Sequence, residues 1–459
     1  MLDLVLREGK VITDSAAFDA DIGVKDGKIV VISKQITEQA DRTIDARGKL
    51  VLPGVIDSHT HFYNKLVFMG VTPPDSVETG SKAGACGGVT SYLEFAWQQK
   101  GQGLMEAVNK WKEECDANTC IDYGLHLIVT DLNENTVKEI PKVIESHITS
   151  FKLYTTYRNI LMVDDGTIFK IMQEVGKQGG VVGLHCENND IIESLVSQYL
   201  KEGKTSPEYH AKSRPPFVEA EAVERAIILA SYAGCRAYVV HLSSQLGREA
   251  VRNAQQRGSS FFSETCPHYL TLTDEVYQRS DAAKYVMSPP IKRPNDRDAL
   301  WDGLARGDVK VVGSDHICFT AEQRARGKDN FTKIPNGVPG TEAILPLLYS
   351  EGVGKGRISL NRLVQVTSTN AAKIFGLFPN KGTIFVGGDA DLVVLDPKKR
   401  VRLSKDVLHS QIDYSIYEDV TVEGFPVYTV SRGRVIYEEG QFTGQKGAGR
   451  FISRGIGAA

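Results

Sequence analysis

A chain of 459 residues with 54 basic against 57 acidic side chains, net charge −3, has no positive surplus to draw it to nucleic acid or an anionic membrane. Its hydrophobic share of 41% and charged share of 24% are those of an ordinary globular protein, large enough to bury a core without disulfides. The seven cysteines (Cys86, Cys115, Cys120, Cys186, Cys235, Cys266, Cys318) are odd in number, scattered and free of any Cys-x-x-Cys pair, which argues against a disulfide framework or zinc ribbon and for reduced thiols.

The opening MLDLVLREGKVITD has no apolar stretch of signal-peptide length. Nothing later approaches the roughly 18 apolar residues of a membrane span, so a cytoplasmic protein is expected. Residues 1–50 read as short strands parted by Asp-Gly and Glu-Gly turns. The stretch 380–459 has the same texture, in GGDADLVVLDP and EGFPVYTVSRGRVIYEEG, so the two ends are expected to form one small β-domain, a sandwich. The tail GQKGAGRFISRGIGAA is Gly-rich and is expected to be extended or mobile.

Between these ends, over 51–379, apolar β-branched runs alternate with helical patterns. The expected strands are 51–62, 89–96, 121–130, 148–155, 181–188, 237–244, 259–266 and 309–316. Near-continuous apolar strands alternating with helices mean a parallel sheet covered on its face. Eight units in succession favour a closed (β/α)8 barrel, an α/β fold, over an open sheet, and no GxGxxG follows the first strand.

Five of these strands finish with a residue able to bind a metal or titrate. Strand 1 ends in His59-Thr60-His61, where a period of two turns both imidazoles towards the barrel axis. Strand 4 offers Lys152, strand 5 His185, strand 6 His241 and strand 8 Asp315. Singly, each has an ordinary explanation: a half-buried hydrogen-bonded histidine, a snorkelling lysine, a capping aspartate. Together at the C-terminal rim, where such barrels place catalytic groups, they point to a metal centre. His126, His147, His210, His268 and His409 need no special role, and His316 is expected to point away from the axis. Cys186 and Cys318 read as packing residues.

The segments LPGVIDSHTHF, AGACGGVT, SFKLYTTY, HCENND, YHAKSRPP, VVHLSS, ETCPHYL, MSPP, GSDH, FTKIPNG and GGDADLVVLDP resemble the amidohydrolase superfamily, and within it the hydantoinase/dihydropyrimidinase group, over nearly the whole chain. The resemblance implies that His59, His61 and Asp315 hold one divalent metal and that His185 and His241 hold a second. Lys152 would bridge both as a carbamate, since an ammonium has no lone pair to offer. Zinc suits such a donor set, with manganese, cobalt or iron as alternatives. The reaction implied is hydrolysis of a cyclic amide or imide by a metal-bridging hydroxide, with Asp315 as proton shuttle. Tyr157 would stabilise the oxyanion, and the backbone at Ser288 and Asn336 would grip the ring's amide edge. The same resemblance favours a homotetramer, or a homodimer.

Dihydroorotases follow the His-x-His with an arginine that binds a carboxylate, whereas Phe62, Tyr63 and Asn64 follow here. Hydantoinase and dihydropyrimidinase stay unseparated, because both rings present the same imide. An allantoinase-type ureide hydrolase and a non-catalytic dihydropyrimidinase-related scaffold are the other readings. The loop HFYNKLVFMG suggests that Phe62, Tyr63, Leu66 and Phe68 wall a pocket for a bulky 5-substituent.

Overall fold

The computed structural model describes residues 1–63 and 70–458. Both chain ends contribute to one nine-stranded sheet. The N-terminal part is β1 (Leu2–Ile12), β2 (Ala17–Lys25), β3 (Lys28–Ser33), β4 (Ala40–Asp45) and β5 (Leu50–Pro53). Its neighbours in space follow the barrel in the chain and are numbered after it. The Asp26–Gly27 turn joins β2 to β3 with φ of +51° and +76°, the left-handed pair that a tight hairpin needs.

The barrel strands are β6 (Val55–Thr60), β7 (Val89–Trp97), β8 (Asp122–Ile128), β9 (Ser150–Tyr154), β10 (Val181–His185), β11 (Arg236–Val239), β12 (Phe261–Thr265) and β13 (Val311–Val312). They run in that spatial order, each parallel to the next. The eight-stranded fold read from the alternation is therefore present. Helices cover its outside; helix 104–118, for example, buries Leu104, Ala107, Val108, Trp111 and Cys115 against the strands. The C-terminal strands β14 (Leu392–Arg402), β15 (Thr421–Ser431), β16 (Arg434–Glu438) and β17 (Gln441–Phe442) complete the small sheet, whose order is β17-β16-β15-β14-β5-β1-β2-β3 with β4 beside β1.

Three expectations need correcting. The run 51–62 is two strands, because Gly54 ends β5, which pairs with β1 and β14 in the small sheet, and only β6 enters the barrel. The eighth strand is two residues long, not eight. Gly313 lies where a Cβ would come within 2.6 Å of Glu264 Oε2, and Asp315 at φ +50° turns the chain out of the ladder. The barrel closes there through single contacts, with His61 N donating to His316 O at 3.0 Å and Ser314 N to Asp57 Oδ1 at 2.9 Å. The tail, finally, is extended but held. Ile452 N donates to Tyr123 O, and the buried Arg454 donates to Ser150 Oγ and Leu125 O beneath the barrel. Its glycines allow close approach: a Cβ on Gly449 would sit 2.0 Å from Ile121 O.

Candidate metal centre and active site

Five of the barrel strands bring the expected ligands to one rim. His59 lies in β6 and His61 one residue beyond it; Lys152 lies in β9, and His185 ends β10. His241 follows β11 by two residues and Asp315 follows β13 by three, both in left-handed backbone with φ of +41° and +50°. Tyr157 shares that conformation at +66°. Non-glycine residues enter this region at a cost of about 1–3 kcal/mol each, and do so most often where a site requires it.

Four histidines and Asp315 line a cavity of about 690 Å³. Asp315 Oδ1 lies 3.0 Å from His59 Nε2 and 3.3 Å from His61 Nε2. The ligand atoms of these three residues all fall within 4.8 Å of one another. Yet His59 Nε2 makes no hydrogen bond. Three potential ligand atoms thus stand close together with a ring nitrogen left over, a set that could hold one ion. The His185 and His241 rings are 4.4 Å apart, and the His59 and His241 rings 5.5 Å. Lys152 is fully buried, with Nζ 5.1 Å from the Phe95 ring and 5.0 Å from Tyr154 and no hydrogen-bond partner; one nitrogen of His241 is orphaned too.

The electrostatics follow from burial. It pushes Lys152 down to about 8, although Asp315 and Glu264 pull it back up. It lowers His61, His185 and His241 as well, keeping them neutral and able to ligate. His59 goes the other way: burial depresses it, but Asp315 and Glu264 prevail and raise it to about 9. Burial alone would raise Asp315, but His59, His61 and His241 hold it well below the usual carboxylate range.

Two buried carboxylates that the sequence reading missed orient these ligands. Glu264 on β12 lies 2.6 Å from His59 Nδ1 and accepts from Ser58 Oγ at 2.6 Å and Tyr238 OH at 2.8 Å. It leaves His59 Nε2 to face the cavity. Glu187 lies 2.7 Å from His185 Nε2 and accepts from Arg214 Nη1 at 2.7 Å, leaving His185 Nδ1 as the free ring nitrogen. His210, in the short helix 208–212, and Arg214, just beyond it, also line the cavity. Among the described residues, two further trios bring ligand atoms together, Asp75–His316–Cys318 and Cys86–Glu342–His409. In each the carboxylate already meets the imidazole, at 3.0 Å and 2.7 Å, so both read as structural pairs.

Tyr157, Ser288 and Asn336 lie on the cavity wall, with Asn336 Nδ2 donating to Ser288 Oγ at 3.2 Å. Phe62 does not. It is 2% exposed, packs on Tyr92 and His316, and fills the place where a Cβ on Gly80 would be. Tyr63 packs edge-on against Trp111 with ring centres 5.1 Å apart and is not part of the wall. Leu66 and Phe68 lie outside the described residues. The apolar wall is instead made by Ile160, Leu161, Val196, Ile317 and Phe331.

The model of the Amidohydrolase family matches residues 50–436, a span that holds every candidate ligand. The chain belongs to the amidohydrolase family. This amidohydrolase is 41% identical over 456 residues to the D-hydantoinase of Ralstonia pickettii, with 99% of each chain covered. It is 38% identical over 461 residues to the dihydropyrimidinase of Rattus norvegicus, covering 98% of this chain and 88% of that one. The crystal structure of dihydropyrimidinase from Brevibacillus agri matches it with a TM-score of 0.97 and 41% identity, over 100% of both chains. Within the amidohydrolases it stands in the hydantoinase/dihydropyrimidinase group.

Proposed function

We propose that this amidohydrolase opens cyclic amide and imide rings, converting 5-substituted hydantoins to N-carbamoyl amino acids and dihydropyrimidines to N-carbamoyl β-amino acids. The observation that carries it is the convergence of His59, His61, His185, His241 and Asp315 on a cavity with an unpartnered, buried Lys152 Nζ beside them. Imidazole and carboxylate donors of this number fit two divalent cations, zinc before others. His59, His61 and Asp315 would hold one and His185 and His241 the other. Lys152 would bridge them as a carbamate, and its depressed pKa supplies the neutral amine that reaction with CO2 requires. Two such cations, when bound, supply Lewis acidity towards the ring carbonyl and acidify water.

The chain's own residues do the rest. Asp315, with Oδ1 at 3.0 and 3.3 Å from the two imidazoles, takes the proton from the attacking water and returns it to the leaving ring nitrogen as the C–N bond breaks. The Tyr157 phenol donates to the oxyanion, and burial, which keeps that phenol protonated, suits it to the role. Backbone groups at Ser288 and Asn336 hold the amide edge of the ring. The apolar wall, from Ile160 to Phe331, takes the 5-substituent. All seven cysteines are buried free thiols, which supports a reducing cytoplasm. Helix 216–233 presents Ile228 and Tyr232 one turn apart, 58% and 84% exposed, an apolar surface suited to contact with a second copy in a homotetramer or homodimer.

A hydrolysis panel on zinc- and bicarbonate-loaded protein tests the reading: dihydrouracil, 5-substituted hydantoins of both hands, allantoin and dihydroorotate. Ring opening of the first two classes is expected. Turnover of allantoin or dihydroorotate alone, or of none, would overturn it.

A further inference from the structure

The cavity is larger than ring opening requires. At about 690 Å³ it has far more room than a five- or six-membered imide ring fills. Its wall also changes character from base to mouth. The donors His59, His185 and His241 are buried; the lining also holds the apolar side chains of Leu161, Val196, Ile317 and Phe331; and its exposed members include two cations, Arg326 and Lys333.

These cations are uncompensated. Among the described residues neither forms an ion pair with a carboxylate. Arg326 Nη1 donates to Gly70 O at 2.7 Å, which fixes the guanidinium without neutralising it. The acidic lining residue among those described is Asp315, committed to His59 and His61 at the base. The cations also stand on a fastened support. Arg324, buried two residues before Arg326, donates to Val286 O, Pro335 O and Gly337 O and so ties 321–326 to the segment that carries Asn336. Phe331 N donates to Thr205 O at 2.9 Å, pinning the turn that presents Lys333. A backbone held in place before binding leaves less to order on binding.

We infer that this mouth receives an anionic group at the far end of the 5-substituent, and that hydantoins bearing an ω-carboxylate on an apolar spacer are preferred substrates. The inference rests on the ring-opening reading and deepens it. The spacer lies along Leu161, Val196, Ile317 and Phe331 while the carboxylate meets Arg326 and Lys333. Water adds to the ring carbonyl and the C–N bond breaks as before, so the product is an N-carbamoyl amino acid with a second, untouched carboxylate. A positive mouth also draws the anionic substrate in.

The test is the ratio of kcat/KM for 5-(ω-carboxyalkyl)hydantoins of one to five methylenes to that for their neutral primary amides of equal length. In the zinc-loaded enzyme the ratio should peak at one spacer length at about tenfold, and should shrink with rising ionic strength. Each of Arg326→Gln and Lys333→Gln should lower it roughly threefold to fivefold, the scale of an exposed ion pair. As a ratio within each variant, it is insensitive to loss of folded protein. A ratio near one at every length, or one that both variants leave unchanged, would overturn the inference while ring opening stands. Failure to open any hydantoin, charged or neutral, would instead sink the ring-opening reading beneath it.

Discussion

Replacing Glu264 by Gln tests whether a buried carboxylate aims the metal site. The side chain is 0% exposed and meets four groups: Ser58 Oγ at 2.6 Å and Tyr238 OH at 2.8 Å on Oε2, and His59 Nδ1 at 2.6 Å and the His241 backbone N–H at 3.4 Å on Oε1. Glutamine keeps the size but removes the charge and turns one acceptor into a donor, so two of the four partners face an NH2 group. Hydrogen bonds to a charged group contribute about 1.5–3 kcal/mol each, and part of that loss is offset because a charge no longer has to be desolvated. A net destabilisation of about 3 kcal/mol follows. The larger effect should fall on the metal, since His59 loses the partner that leaves Nε2 free to ligate. Losing such an outer partner lowers metal affinity roughly 10- to 100-fold. Zinc competition against a chromophoric chelator reads the affinity, and denaturant unfolding of the metal-free protein reads the stability. A destabilised variant that binds zinc as tightly as the parent would refute the reasoning, reducing Glu264 to a packing residue.

Tyr157→Phe should lower kcat about 10²- to 10³-fold with a smaller change in KM, as for loss of one oxyanion donor; a change confined to KM would contradict that role. Phe62→Ala should cost about 3–5 kcal/mol in denaturant unfolding and leave the ranking of 5-substituted hydantoins intact; an altered ranking at parental stability would restore it to the pocket. His409 is raised above its ordinary value, chiefly by its hydrogen bond to Glu342, so the stability it contributes is full below pH 6.5 and is lost as pH rises through the folded value. The stability gap between the parent and His409→Gln should therefore narrow between pH 6 and 9, and a gap that does not change would disprove the pairing.

The barrel was legible because alternating apolar strands and helices repeat eight times. The His59–His61 pair was legible because a strand's period of two needs no tertiary information. Asp315 was different. It reads as the end of a strand over 309–316, but it sits three residues beyond a two-residue strand in left-handed backbone, where strand periodicity no longer places it. Glu264 and His59 stand 205 positions apart, and nothing local in FFSET sets that carboxylate apart from any other. Glu187 was within reach, two residues from His185 in HCEN. Phe62 was misread from composition, although the alternation that turns His59 and His61 inward turns Phe62 outward. The tail reads as extended or mobile; it is extended, and its glycines serve close packing, with Arg454 buried against the barrel.

The measurement closest to the central claim is the rate of opening of a 5-substituted hydantoin by one preparation in three states: as loaded with zinc, after chelator removes the metal, and after zinc and bicarbonate are restored. The rate should vanish on stripping and return on restoration, and Lys152→Ala should not recover it. Undiminished turnover by the stripped protein would contradict a metal-dependent hydrolase built on His59, His61, Lys152, His185, His241 and Asp315.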